Sequence, residues 1–185
     1  MQTPPDRLSR LVYLISGPVG AGKTTRARRL AERFPLAAHI ESDGIQDLVV
    51  SGGLHPDREP KAEAECQLLI RRRNVALLAD NFFESGITPV IDDVVVFAQA
   101  LKEYKEVFHS RPLALVMLAP PLEVSLARDA ARPEKQVGHI WGHLDAVMRK
   151  ELPGTGLWID NSALTADQTV DMVLERVLSE GIVAA

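Results

Sequence analysis

Short apolar runs alternate with longer stretches of helical spacing along this chain, and the alternation predicts the order of its elements. Residues 11–16, Leu11-Val12-Tyr13-Leu14-Ile15-Ser16, read as a first strand. Residues 23–34, rich in Arg and Ala, read as a helix that stops before Pro35. A short strand at 37–41 leads into a short helix at 44–50, halted by Ser51-Gly52-Gly53. The segment 54–60 is a loop, with Pro56 and Pro60 in it. A long helix is predicted over 61–85, with Leu69, Val75, Leu78 and Phe82 near helical spacing and Gly86 at its end. A third strand lies within 88–96, built on Pro89-Val90-Ile91, and a helix follows at about 97–109. Residues 113–118 are nearly all apolar, as a strand covered on both faces should be. Helical spacing returns at 122–130 and 138–150, and a fifth strand is expected at 157–160. Thr165-Ala166-Asp167-Gln168 has the capping-box form T-x-x-Q and opens a last helix to about residue 178.

Five strands alternating with helices predict an α/β fold of three layers, a five-stranded parallel sheet with helices on both faces. No internal repeat or linker interrupts the pattern, so one domain over 1–185 is expected, with a short lid at about 128–136. Ligands of such sheets bind beyond the carboxyl ends of the strands. Polar residues just after a strand are therefore the candidates for chemistry.

The first such segment is the most specific. Gly17-Pro18-Val19-Gly20-Ala21-Gly22-Lys23-Thr24-Thr25 follows the first strand and opens the first long helix. This is the P-loop pattern G-x-x-x-x-G-K-[ST] in the context that gives it meaning. With glycine at about 7% of residues, the four fixed positions arise by chance in about 1% of chains of this length. The glycines let backbone amides close around a polyphosphate, and the helix N-terminus adds its partial positive charge. Lys23 is then the cation for the β and γ phosphates, and the Thr24 hydroxyl is the expected Mg²⁺ ligand. The segment predicts a nucleoside triphosphate site.

Three further places extend it. Asp43 follows the second strand, where a carboxylate can accept or orient the proton of a hydroxyl that receives a phosphoryl group. It also suits an N-cap for the helix expected from Gly44. Asp92-Asp93 follows the third strand, and an acidic residue there suits Mg²⁺. Alternation turns one of the pair toward the cleft, and Asp92 is the choice for the metal. Arg128 and Arg132 share a face if their helix continues that far, before Pro133 ends it. Arginines on a segment after the fourth strand suit a lid over transferring phosphates, and a solvated surface face is the alternative. Arg71-Arg72-Arg73 reads as a solvated face of the long helix or a site for an acidic partner. His139 and His143, an i, i+4 pair, lack the H-E-x-x-H form and read as helix surface or a wall of the acceptor site.

Composition narrows the partners. The chain has 185 residues, 46% hydrophobic and 25% charged, which suits a globular domain. Its net charge of −4 supplies no global basic field, so no nucleic-acid partner is expected. No run approaches a membrane span or a signal segment. Cys66 is the only cysteine, which rules out an intrachain disulfide. A cytoplasmic protein, monomer or homodimer, is the expectation.

The P-loop, Asp43 after the second strand, Ile91-Asp92-Asp93-Val94 after the third and the Arg128 segment together resemble the small P-loop kinases with an adenylate-kinase-type core. Within these the chain is similar to the chloramphenicol phosphotransferase-like proteins. It also resembles the zeta toxins and the kinase domain of polynucleotide kinase. The resemblance spans about 11–178. It implies a sheet order of 2-3-1-4-5, ATP and Mg²⁺, and transfer of the γ-phosphate to a hydroxyl. It also implies that Asp43 is the base and Arg128 a lid arginine that contacts the nucleotide. The 44–66 segment carries no readable acceptor motif. A small-molecule hydroxyl is the first expectation, a nucleotide or polynucleotide 5′-hydroxyl the alternative. A non-catalytic ATP-binding accessory protein is a further one. No N-K-x-D segment is present, which argues against a GTP switch, although no residue reads out ATP over GTP.

Overall fold

The computed structural model describes residues 6–133 and 136–185. In chain order the elements are α1 (Asp6–Ser9), β1 (Val12–Ser16), α2 (Lys23–Ala31), β2 (Ala37–Glu41), α3 (Ser42–Asp47) and α4 (Lys61–Glu84). Then come β3 (Thr88–Asp92), α5 (Ala98–Val107), β4 (Leu113–Leu118), α6 (Leu122–Ala130), α7 (Gly138–Trp141) and α8 (Leu144–Glu151). The chain closes with β5 (Leu157–Ile159), α9 (Ala166–Arg176), a π-helical turn at Val177–Gly181 and β6 (Ile182–Ala184).

The sheet order is β2-β3-β1-β4-β5, as the resemblance implied, and these five strands are parallel. Every residue of β1, β3 and β4 is buried, which explains their continuous apolar runs. Successive side chains of β1 enter opposite layers. Val12 and Leu14 pack with Val75 and Ala79 of α4, Leu101 and Tyr104 of α5, and Met148 of α8. Tyr13 and Ile15 pack with Ala27 and Leu30 of α2 and Val170 and Val173 of α9.

The sequence pattern misses one strand. β6 runs antiparallel against the start of β4, with Ala114 opposite Ile182. The last helix is α-helical to Arg176, near the end expected at about 178, and passes directly into the π-helical turn. At Gly181 a Cβ would lie 2.7 Å from the Val177 side chain, so a larger residue there would have to displace it. The helix expected over 138–150 is two helices, α7 and α8, divided at Gly142 and His143. The short helix after β2 begins at Ser42, two residues earlier than expected, so Asp43 lies inside its first turn and Glu41 takes the N-cap position. The α2 helix ends at Ala31 rather than 34. The Thr165 capping box is present, with Gln168 N donating to Thr165 Oγ1 and Thr165 N donating to Gln168 Oε1. Among the described residues no helix is long and apolar enough to cross a membrane.

Candidate active site

The carboxyl ends of β1, β2 and β3 meet at one level. Asp92 is in register with Ile15 on one side and Glu41 on the other. The loop between β1 and α2 carries left-handed backbone at Gly20 (φ 75) and Gly22 (φ 82), where other residues are strained. A Cβ at residue 20 would lie 1.9 Å from the Ser125 carbonyl oxygen, so the loop is pressed against α6. Gly22 is the N-cap of α2, and the helix axis therefore starts at the loop.

Lys23 curls over this loop and donates from Nζ to Gly17 O at 3.0 Å and Pro18 O at 3.1 Å. Burial pulls its ammonium below the ordinary lysine range, while the charges of Asp92, Asp43 and Asp93 oppose that pull. Arg132 adds to the lowering. The three carboxylates and Arg132 thus converge electrostatically on Lys23.

The two adjacent aspartates divide as alternation requires. Thr24 Oγ1 donates to Asp92 Oδ1 at 3.2 Å, and His39 Nε2 lies 2.6 Å from Asp92 Oδ2. Asp93 turns the other way. Its Oδ1 accepts from Arg71 Nη2 at 2.7 Å and its Oδ2 from the Tyr104 hydroxyl at 2.6 Å. Burial first, and the charge of Asp93 after it, push the Tyr104 phenol well above its ordinary range, so it stays protonated and donates. Asp93 is sealed within the protein, whereas the Asp43 side chain is half exposed, with Oδ1 at 3.6 Å from Arg71 Nη1.

Arg71 corrects the sequence reading of the Arg71–Arg73 run. It is buried, Arg72 pairs with Glu103 of α5, and only Arg73 is exposed. The buried side of α4 carries Gln67, Arg71 and Asp80 among its alanines and Val75, while Leu78 faces outward. The signal for Arg71 was its spacing. Positions 64, 67, 71 and 75 fall on one helical face, and all four are buried. His39 had a period-2 signal, because its side chain shares the β2 register with Val90 two positions before Asp92.

The two lid arginines part company. The α6 helix ends at Ala130, so Arg132 falls beyond the shared face. It lies 3.6 Å from Asp129 and acts on Lys23. Arg128 instead donates from Nη2 to the carbonyls of Asn161 (3.0 Å) and Ser162 (2.9 Å), beyond β5. Asn161 in turn donates to Ala21 O of the loop at 3.0 Å. Arg26 donates to Leu164 O in the same segment, and burial together with the charge of Arg128 lowers its pKa. Arg128 thus stands on the β5 side of the loop. Glu134 and Lys135, within the expected lid, lie outside the described residues. Asp129 accepts from Val137 N at 2.9 Å and Gly138 N at 2.6 Å, beyond those residues.

Among the described residues no cluster of three or more His, Cys, Asp or Glu forms a metal cage, and His139 and His143 are exposed. One hydroxyl and one carboxylate, Thr24 and Asp92, form a donor pair beside the phosphate loop. That set fits Mg²⁺, which takes few protein ligands and completes its shell with water and phosphate oxygens.

Comparison with known proteins agrees with this fold. A family model described as an AAA domain, AAA_33, matches residues 12–150. A solved structure of a sugar kinase from a Janibacter species is similar at a TM-score of 0.67 and 19% identity, covering 92% of this chain and 95% of that one. The Deinococcus radiodurans tunicamycin resistance protein is similar at a TM-score of 0.64 and 20% identity, covering 95% and 98%. No curated protein sequence matches. These structural likenesses establish a shared fold.

Proposed function

The chain belongs to the AAA_33 family of AAA domains, and on that premise we propose that it is an ATP-dependent phosphotransferase that moves the γ-phosphate to a hydroxyl of a small molecule. One observation carries the reading. Thr24 and Asp92 meet beside Lys23, while the half-exposed Asp43 also acts on Lys23 from the end of β2. A binding module needs the first arrangement. The second carboxylate, facing solvent, is what a transfer reaction adds.

The loop amides and the start of α2 hold the phosphate chain, and Lys23 swings from the Gly17 and Pro18 carbonyls onto its oxygens. Thr24 and Asp92 would hold Mg²⁺, with His39 fixing the Asp92 carboxylate from its other oxygen. Bound there, Mg²⁺ neutralises charge on the β and γ oxygens. Asp43 takes the proton of the acceptor hydroxyl as its oxygen bonds to the γ-phosphorus. The bond to the bridging oxygen breaks, and ADP leaves with that electron pair. Arg132, whose charge acts on Lys23, offsets charge on the transferring group. Arg128 serves the nucleoside end, beside the segment 161–164.

A small hydroxyl-bearing acceptor is favoured by the likeness to a protein described as a sugar kinase. The test is single-turnover transfer from γ-labelled ATP to a panel of sugars, nucleosides and hydroxyl-bearing antibiotics. Label is expected on one small hydroxyl compound. Label only on oligonucleotide 5′ ends would overturn the acceptor assignment, and tight ATP binding without any labelled product would overturn transfer itself.

A further inference from the structure

Arg71 lies outside the nucleotide site, yet it connects the candidate base to the protein interior. A buried guanidinium is destabilising unless it is paired. Here Nη2 makes a short, charge-assisted bond to Asp93 at 2.7 Å. Asp93 is held in turn by the Tyr104 hydroxyl at 2.6 Å. The end of β3, the middle of α4 and the inner face of α5 are thereby locked together. The guanidinium presents its other nitrogen, Nη1, to Asp43 at 3.6 Å. That separation is an ion pair rather than a hydrogen bond, so it biases the Asp43 carboxylate without displacing a hydroxyl that approaches it. A planar fork addresses two carboxylates at once in a way that a lysine ammonium does not.

We propose that Arg71 is a positioning residue for phosphoryl transfer: anchored by Asp93 and Tyr104, it orients the Asp43 carboxylate toward the acceptor hydroxyl. The proposal rests on the reading of Asp43 as the base. It separates Asp93 from the catalytic pair and gives it a different task, holding the arginine that aims the base. It also accounts for an arginine on the buried side of α4, where an apolar residue would pack more simply against Val75 and Ala79.

The test is a double-mutant cycle on single-turnover release of γ-phosphate from labelled ATP and Mg²⁺, with water as the hydroxyl acceptor. Wild type, Arg71→Lys, Asp43→Asn and the double variant are compared, with the Kd for a fluorescent ATP analogue and the melting temperature recorded for each. Arg71→Lys is expected to slow the wild-type protein about tenfold and the Asp43→Asn protein less than about twofold, with ATP affinity unchanged within about twofold. Tyr104→Phe keeps the packing and removes the anchor on Asp93. It is expected to repeat the pattern at smaller amplitude, and it carries the test if Arg71→Lys does not fold. Equal slowing in both backgrounds, or no slowing by either variant, would overturn the positioning role alone. An Asp43→Asn protein that releases phosphate at the wild-type rate would overturn the base assignment and the positioning role with it.

Discussion

Asp92 and Asp93 are neighbours in sequence with different surroundings, and the difference follows from one backbone rule. Side chains alternate at the end of a strand, so Asp92 reaches Thr24 and His39 while Asp93 reaches Arg71 and Tyr104. Two predictions belong here. Asp43→Asn is expected to lower kcat about 10²–10⁴-fold while ATP affinity stays within about twofold, measured by transfer kinetics beside nucleotide titration. Asp92→Asn is expected to weaken Mg²⁺ affinity about 10–100-fold, read from the metal concentration that restores binding of a fluorescent ATP analogue. ATP affinity equally weakened in the absence of metal would contradict that metal role. The phosphate loop was legible to the residue because its chemistry lies in consecutive positions. Arg71 and Tyr104 were not, because each gains its meaning from a partner 22 or 11 residues away. The helical spacing of positions 64, 67, 71 and 75 marks Arg71 as facing inward, but not the carboxylates it meets there.

At the scale of elements, boundaries followed local chemistry where that chemistry is self-contained. The capping box at Thr165 and the strand at 113–118 stand where their residues require. Thr165→Ala is expected to lower stability by about 1 kcal/mol in denaturant unfolding without altering ATP affinity. The start of α6 shows a contact between elements that no periodicity reports, with Gly20 lying directly against the Ser125 carbonyl. Gly20→Ala is expected to strain the loop by about 2 kcal/mol and to weaken ATP binding accordingly, checked by nucleotide titration of the folded variant. The segment after α6 is the least legible. The i, i+4 spacing of Arg128 and Arg132 suggested a common face, but the helix stops between them, and Arg128 donates to the Asn161 and Ser162 carbonyls while Arg132 lies by Asp129.

The whole molecule is a largely parallel sheet between two helical layers, and the resemblance implied the order of its five parallel strands. The antiparallel β6 was hidden because its three residues, Ile182–Ala184, are too few to carry a pattern. They pair with β4 directly after the π-helical turn that ends at Gly181. Ending the chain after Gly181 is expected to reduce stability by about 2 kcal/mol, from the lost cover of partly buried Ile182 and Val183, and to leave ATP affinity intact. The candidate groups gather at the carboxyl ends of the strands, and that placement joins a phosphate site to a second carboxylate. Phosphorus NMR of the protein with MgATP and a panel of small hydroxyl compounds tests the consequence most directly. A phosphate monoester and ADP should appear in equal amounts with one acceptor, and neither should appear with Asp43→Asn. Saturable ATP binding with no monoester formed from any hydroxyl compound would contradict the account.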